Sequence, residues 1–226
     1  MKIDSSIQGA RIDTPFGPTI FGMQLSENVF RNCVKLADDV WARKDRIDWS
    51  HELVGHMKHQ YYVPHSELKE YDLYDYFMQC FYWYLIKASK EIEKKKEHLI
   101  IELEAFWINY QEEGEYNPLH NHGQATLSGA IHLKEPEYKR PKDRKHETDG
   151  KLTLVNHSPI MHSLDMYAMI VSPTPRGMYI WPAPLLHEVS PFQGKGQRVS
   201  MAYNVVHYFS DNPDNRHNAN EYEKER

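Results

Sequence analysis

Two groups of residues in this sequence have the types and spacing to do chemistry. The first is His120-Asn121-His122, which precedes a strand-like run from Ala125 to Leu133. Residues two apart in an extended segment point to the same face, so both imidazoles could bind one ion. Taken alone this pair says little, because 14 histidines in 226 residues give roughly one such pair by chance. The second group is His187 with Arg198-Val199-Ser200, joined by a strand end and a turn holding Gly194 and Gly196. That turn returns the chain beside itself and brings Arg198 within reach of whatever His187 binds. Arg198 and Ser200 share one strand face and together can hold a carboxylate, the guanidinium bidentately. Composition alone yields His, Arg and Ser at these spacings in roughly 4% of cases. Asn109 adds a third element, on the strand-like segment Ala105 to Tyr110 upstream of the histidine pair. An amide among apolar strand residues needs a partner if it is buried.

Strands must position these groups. From residue 98 onward, short runs rich in Ile, Leu, Val and aromatics alternate with Gly, Pro and Asn. Strands are expected at 99–110, 124–134, 151–156, 165–172, 177–181, 185–189 and 197–209, and regular short strands point to a sandwich, barrel or jelly roll. If 124–134 continues in register from His122, Thr126, Ser128 and His132 turn inward, whereas a bulge after Gly123 reverses them. The polar stretch 139–150 reads as a long excursion, its basic cluster Lys139, Arg140, Lys142, Arg144 and Lys145 interleaved with acids as on a solvated loop.

The first 98 residues read as support. Residues 7–25 are extended, with Pro15 and Pro18 confining them to edges or turns. Ser26 is placed to cap one helix. Ser66 is placed to cap a longer one running to about Glu97, whose stripe of Leu68, Tyr71, Tyr74, Phe77, Phe81 and Leu85 is expected to pack on a sheet. Residues 45–64 show no regular pattern. The whole reads as a single domain over 1–226: support to about 98, a β core over about 99–209, and a polar tail from 210.

Bulk properties fit a soluble enzyme-sized unit. Charged residues make up 26% and net charge is −5, which implies no general affinity for nucleic acid or anionic membranes. No apolar run approaches the length of a membrane helix, and Met1-Lys2-Ile3-Asp4 lacks the apolar core of a secretory signal. Cys33 and Cys80 read as reduced core thiols of a cytosolic protein.

The segments W-x-N (107–109), Gly114, H-x-H (120–122), L-S-G (127–129), P-x-x-L-x-H-x-V-x-P (182–191) and R-V-S (198–200) resemble the Fe(II)/2-oxoglutarate-dependent oxygenases. The similarity is greatest to the group found in bacteria and tailed phages, and extends weakly to Asp13-Thr14-Pro15-Phe16. The resemblance implies a mainly β fold, a double-stranded β-helix or jelly roll with N-terminal helices packed on one sheet, in a bacterial or phage-infected cytoplasm. It implies Fe(II) on His120 and His187, with 2-oxoglutarate as cosubstrate. Arg198 and Ser200 then take the distal carboxylate, and Asn109 is a candidate for the chelating end. Ser128 is a further candidate for lining that pocket. The activity implied is oxidative decarboxylation of 2-oxoglutarate coupled to oxidation, by hydroxylation, of a small molecule, peptide or protein side chain.

One position departs from the superfamily's usual pattern. The common facial triad is two histidines and a carboxylate, and His122 stands where the carboxylate belongs. His122 either ligates, giving His120, His122 and His187 as an all-nitrogen site, or stands beside a two-histidine site, or marks lost iron chemistry. Two other functions stay open. A cupin-like three-His dioxygenase without 2-oxoglutarate has no evident need for the Arg198–Ser200 clamp. A non-catalytic jelly-roll binding protein would keep the fold without turnover.

Overall fold

Two long antiparallel strands form the spine, β5 (Leu99–Gln111) and β14 (Arg198–Phe209), paired from Arg198↔Gln111 to Phe209↔Leu99. The computed structural model describes residues 11–13, 17–139, 148–156 and 168–211. Ahead of the spine come β1 (Arg11–Asp13), β2 (Ile20–Gln24), helix α1 (Glu27–Ala42), β3 (Ile47–Asp48) and β4 (Gln60–Tyr62). Helices α2 (His65–Glu70), α3 (Tyr74–Ala88) and α4 (Lys90–Lys94) follow. After β5 the chain forms β6 (Asn117–His120), β7 (Leu127–Lys134), β8 (Glu137–Tyr138), β9 (Leu152–Val155) and β10 (Ala168–Val171). It ends with β11 (Gly177–Pro182), β12 (Leu186–Val189), β13 (Gly194–Lys195) and then β14.

These strands make an eight-stranded sheet, β1-β2-β11-β7-β14-β5-β4-β3, facing a four-stranded sheet, β10-β9-β12-β6, with a small ribbon of β13 and β8. From β5 onward the chain shuttles between the two large sheets, which is the double-stranded β-helix expected. The period-two alternation of β14 explains the layering. Val199, Met201, Tyr203 and Val205 point to the helices and join their buried cluster. Arg198, Ser200, Ala202 and Asn204 point the other way, into a cavity between the sheets.

The helical face is closed by aromatics. Phe77 stacks on Phe106 at 5.5 Å, and Phe81 lies 4.9 Å from Tyr203. Each such fully buried ring stabilises the fold by about 1.5–3 kcal/mol. The aromatic stripe is therefore core, as its spacing implied. Tyr203 donates its hydroxyl to the Tyr179 carbonyl at 2.8 Å, and this bond passes over Gly129. A Cβ at Gly129 would lie 2.2 Å from the Tyr203 hydroxyl and 2.3 Å from the Tyr179 carbonyl, which is the physical reason for glycine in L-S-G.

Several expectations need correction. The long helix from Ser66 is three helices: α2 starts one residue earlier, after Pro64, and Asp72 in the left-handed region (φ 56) separates α2 from α3. Ser89 begins α4, its hydroxyl accepting from Ile92 N–H at 3.4 Å. Ser26 does stand at the start of α1, but its side chain makes no capping bond. Residues 45–64 contain two short strands that extend the large sheet beside β5. Cys33 and Cys80 are buried thiols not engaged in a disulfide. Among the described residues no helix is long and apolar enough to cross a membrane. The basic cluster over 140–145, the Thr14-Pro15-Phe16 similarity, His157, His162 and the tail from 212 lie outside the described residues.

Candidate metal centre

His120 and His187 face each other across a pair of short strands. They are direct partners in the β6–β12 register, with ring centroids 4.2 Å apart. His122 does not sit on that strand, which corrects the expectation of a shared extended face. It lies beyond β6, in a connection held by His122 N–H donating to the Ala183 carbonyl at 3.0 Å and Ala125 N–H to the His122 carbonyl at 3.1 Å. This loop folds the second imidazole back, leaving its centroid 5.0 Å from His120 and 5.2 Å from His187. One ligand atom from each ring lies within 4.8 Å of the others.

The ring orientations are set by hydrogen bonds. His120 Nδ1 donates to the Pro118 carbonyl at 2.6 Å, and His187 Nδ1 to the Leu185 carbonyl at 2.9 Å. A carbonyl only accepts, so the proton is on Nδ1 and Nε2 keeps its lone pair, the form a metal requires. Burial lowers the pKa of all three: His120 falls below its usual value, His122 to about 4 and His187 to about 3. Desolvation is the main cause, and at His122 and His187 a neighbouring imidazole adds to it. Neutral imidazoles packed at this distance are a donor set that fits a divalent first-row ion. Trp181, 5.0 Å from His187 and almost wholly buried, shields one side.

Arg198 closes the inner end of the same cavity. It is 2% exposed, and its Nη1 reaches Ser200 Oγ at 3.3 Å and Gln111 Oε1 at 3.4 Å. Its Nη2 meets His132 Nδ1 at 3.2 Å, while Nε has no partner. His132 is kept neutral by burial and by the adjacent guanidinium, so it accepts this bond. Burial lowers Arg198 to about 10, partly offset by Tyr138 and Glu135, so the group stays charged at neutral pH. Among the described residues no carboxylate pairs with it. A buried cation without a counter-ion is costly, and an orphaned donor beside it fits an anionic ligand such as a carboxylate of 2-oxoglutarate.

Asn109 lies beside Ser200 in the β5–β14 register, and its Oδ1 accepts from Gln60 Nε2 at 2.9 Å. Ser128 reaches the cavity wall, though its hydroxyl donates to the Tyr203 carbonyl at 3.3 Å. His132 turns inward behind Arg198. Thr126 does not: its hydroxyl accepts from His207 N–H at 3.1 Å, ahead of β7. The structure thus brings His120, His122, His187, Arg198, Ser200, Asn109 and Ser128 to one cavity of about 1280 Å³.

Residues 105–204 match the family model described as "Putative 2OG-Fe(II) oxygenase". Over this stretch the chain is similar to the 2OG-Fe(II) oxygenases. The stretch contains every residue of the centre and of the Arg198–Ser200 clamp. Solved structures agree on the jelly-roll fold. AviO1 from Streptomyces viridochromogenes Tue57 is 11% identical with a TM-score of 0.53, over 93% of this chain and 97% of that one. A Trichoplax adhaerens prolyl hydroxylase in complex with a hypoxia inducible factor peptide is 9% identical with a TM-score of 0.52, over 88% and 87%. The epimerase SnoN of nogalamycin biosynthesis is 10% identical with a TM-score of 0.52, over 84% and 80%. Comparison with curated proteins found no match.

Three residues of the oxygenase site escaped the sequence reading: Gln111, Gln60 and Asn204. Gln111 follows Asn109 by two on β5, and Asn204 continues the 198, 200, 202 series on β14, so strand alternation was the available signal. Gln60 had none, because β4 was not recognised.

Proposed function

We propose that this oxygenase holds Fe(II) on His120, His122 and His187 and oxidises a substrate using 2-oxoglutarate anchored by Arg198. One observation carries the reading: three neutral imidazoles converge in the same cavity as a buried guanidinium that, among the described residues, forms no salt bridge with a carboxylate. When bound, the iron and cosubstrate supply the activation of O2 and the oxidising power. The chain's own residues supply position and dryness. Pro118 and Leu185 carbonyls lock two imidazoles with Nε2 toward the centre. Arg198, Ser200 and Gln111 offer donors and a polar cradle to a distal carboxylate, and Asn109 faces the same space. Behind them Leu152, Leu154, Val171 and Trp181 form a buried apolar layer that excludes water.

The cavity exceeds the roughly 300–1,000 Å³ usual for one small ligand, which leaves room for a substrate beside the cosubstrate. That substrate is a small molecule, a peptide or a protein side chain, with neither nucleic acid nor membrane as partner, and hydroxylation is the outcome proposed. Cytoplasmic action accords with two buried thiols not engaged in a disulfide. The charge of Arg198 argues against a dioxygenase that works without 2-oxoglutarate.

The test is an anaerobic titration of the protein with Fe(II) and then 2-oxoglutarate, read by the visible metal-to-ligand charge-transfer band. A band in wild type, lost in His120→Ala and His187→Ala, supports the reading. Bound iron with no band, and no succinate once O2 is admitted, supports the cosubstrate-free dioxygenase. No bound iron leaves a jelly-roll binding protein.

A further inference from the structure

We propose that Asn204 is the positioning residue that makes His122 a metal ligand. The inference rests on the metal centre proposed above and concerns the one position where histidine replaces the usual carboxylate. His120 and His187 each take their orientation from a carbonyl two residues back on their own segment. His122, lying past the end of β6, has no such bond. Its Nδ1 instead meets the side-chain amide of Asn204, 3.2 Å away on β14.

The amide's direction decides what His122 can do. With Nδ2 toward the ring, the amide donates to Nδ1, and the imidazole proton must then sit on Nε2. That atom would have no lone pair for a metal. A half-turn of the amide exchanges Oδ1 and Nδ2 with almost no change in shape. Oδ1 then accepts from Nδ1–H and frees Nε2, as the backbone carbonyls do for the other two histidines. The protein's hydrogen bonding does not oppose this turn, because the far end of the amide is buried without a partner. Only this second orientation leaves all three rings with a bare Nε2 at once, the form a metal would require. Asn204 also shares the cavity face of β14 with Arg198 and Ser200, so one strand both clamps the cosubstrate and orients the substituted ligand.

The test uses Co(II) as probe in calorimetric titrations of the full chain, with ¹⁵N NMR of the histidine rings. Asn204→Ala is expected to weaken Co(II) binding by about 10–100-fold, the range for a lost ligand-orienting partner. Asn204→Asp, which can only accept, is expected to bind at least as well as wild type. The ring spectrum of metal-free wild type is expected to show His122 protonated on Nδ1. A His122 proton on Nε2, or Asn204→Asp binding as weakly as Asn204→Ala, overturns the proposal. The tautomer in wild type and the Asn204→Asp titration decide the matter even if Asn204→Ala fails to fold. His120→Ala is titrated alongside; if it still binds Co(II) like wild type, the metal centre itself is wrong and the inference falls with it.

Discussion

The two faces of β14 are both buried, yet they are finished differently. On the helical face, Met201, Tyr203 and Val205 are fully covered, and the Tyr203 hydroxyl has its acceptor. On the cavity face, Arg198 is equally covered but keeps an unpartnered Nε, and Asn204 keeps an unpartnered amide end. A strand selected for stability alone would not carry an unpaired cation into the interior. The helical face is complete without anything added. The cavity face keeps polar groups that an anionic ligand would satisfy, and that contrast is what marks it as a candidate site.

The contrast breaks most sharply at the metal. Removing an imidazole in His187→Ala is expected to reduce Fe(II) affinity by more than the about 10–100-fold typical of an outer partner, measured by anaerobic titration. Met201→Ala, three positions beyond Arg198 on the opposite face, is expected to leave that affinity unchanged in the folded molecules. Next in size is Arg198→Ala. Charge-assisted hydrogen bonds contribute about 1.5–3 kcal/mol each, so losing two should weaken 2-oxoglutarate by roughly 100-fold or more. Its thermal midpoint without ligand is expected to hold or rise, because a buried unpaired charge is gone. A large fall in midpoint would show Arg198 to be structural.

The helical face should respond in the opposite way. Met201→Ala is expected to cost about 2–5 kcal/mol of stability, read by denaturant unfolding. Gly129→Ala should cost about 1–3 kcal/mol or more, because its methyl meets the Tyr203–Tyr179 bond. Neither change should weaken cosubstrate binding per folded molecule as Arg198→Ala does.

These predictions also mark how far the sequence could be read. The mainly β core and the convergence of the histidine pair, His187, Arg198 and Ser200 on one cavity were legible because strand alternation and short spacings carry them, whereas the choice of a double-stranded β-helix came from the resemblance. The strand β6 was not, since Asn117-Pro118-Leu119-His120 contains a proline and too few apolar residues to announce pairing. His122 was assigned to the right cavity for an incomplete reason: a turn tied to Ala183, not a common strand face, delivers it. The break at Asp72 was hidden because aromatic periodicity on both sides continued across it. Gln60, Gln111 and Asn204 act through partners distant in sequence, and such pairings exist only once the sheets are assembled.

A gentler probe of the same contrast is pH. The unfolded chain binds a proton at each histidine near pH 6.5, whereas burial holds His122 at about 4, His187 at about 3 and His132 well below its usual value. Below 6.5 the unfolded state therefore carries more protons than the native state, so stability is full above that pH and falls with acidification. His122 and His187 each contribute a loss of about 1 kcal/mol by pH 5.5, and His132 acts in the same direction. Metal-free protein should show this decline in urea midpoints.

The smallest expected effect is Ser200→Ala. Its hydroxyl lies 3.3 Å from Arg198 Nη1 and accepts one bond from a guanidinium that also has Gln111 and His132. Removing it takes away about 1 kcal/mol of neutral hydrogen bonding, or roughly a five-fold weaker 2-oxoglutarate. Fe(II) affinity should not move, because Ser200 touches none of the three imidazoles. If Ser200→Ala instead weakened 2-oxoglutarate as much as Arg198→Ala, the hydroxyl would be the principal anchor. The guanidinium's missing counter-ion would then need another explanation, and the cavity face of β14 would be less a carboxylate clamp than a single hydroxyl contact backed by a charge.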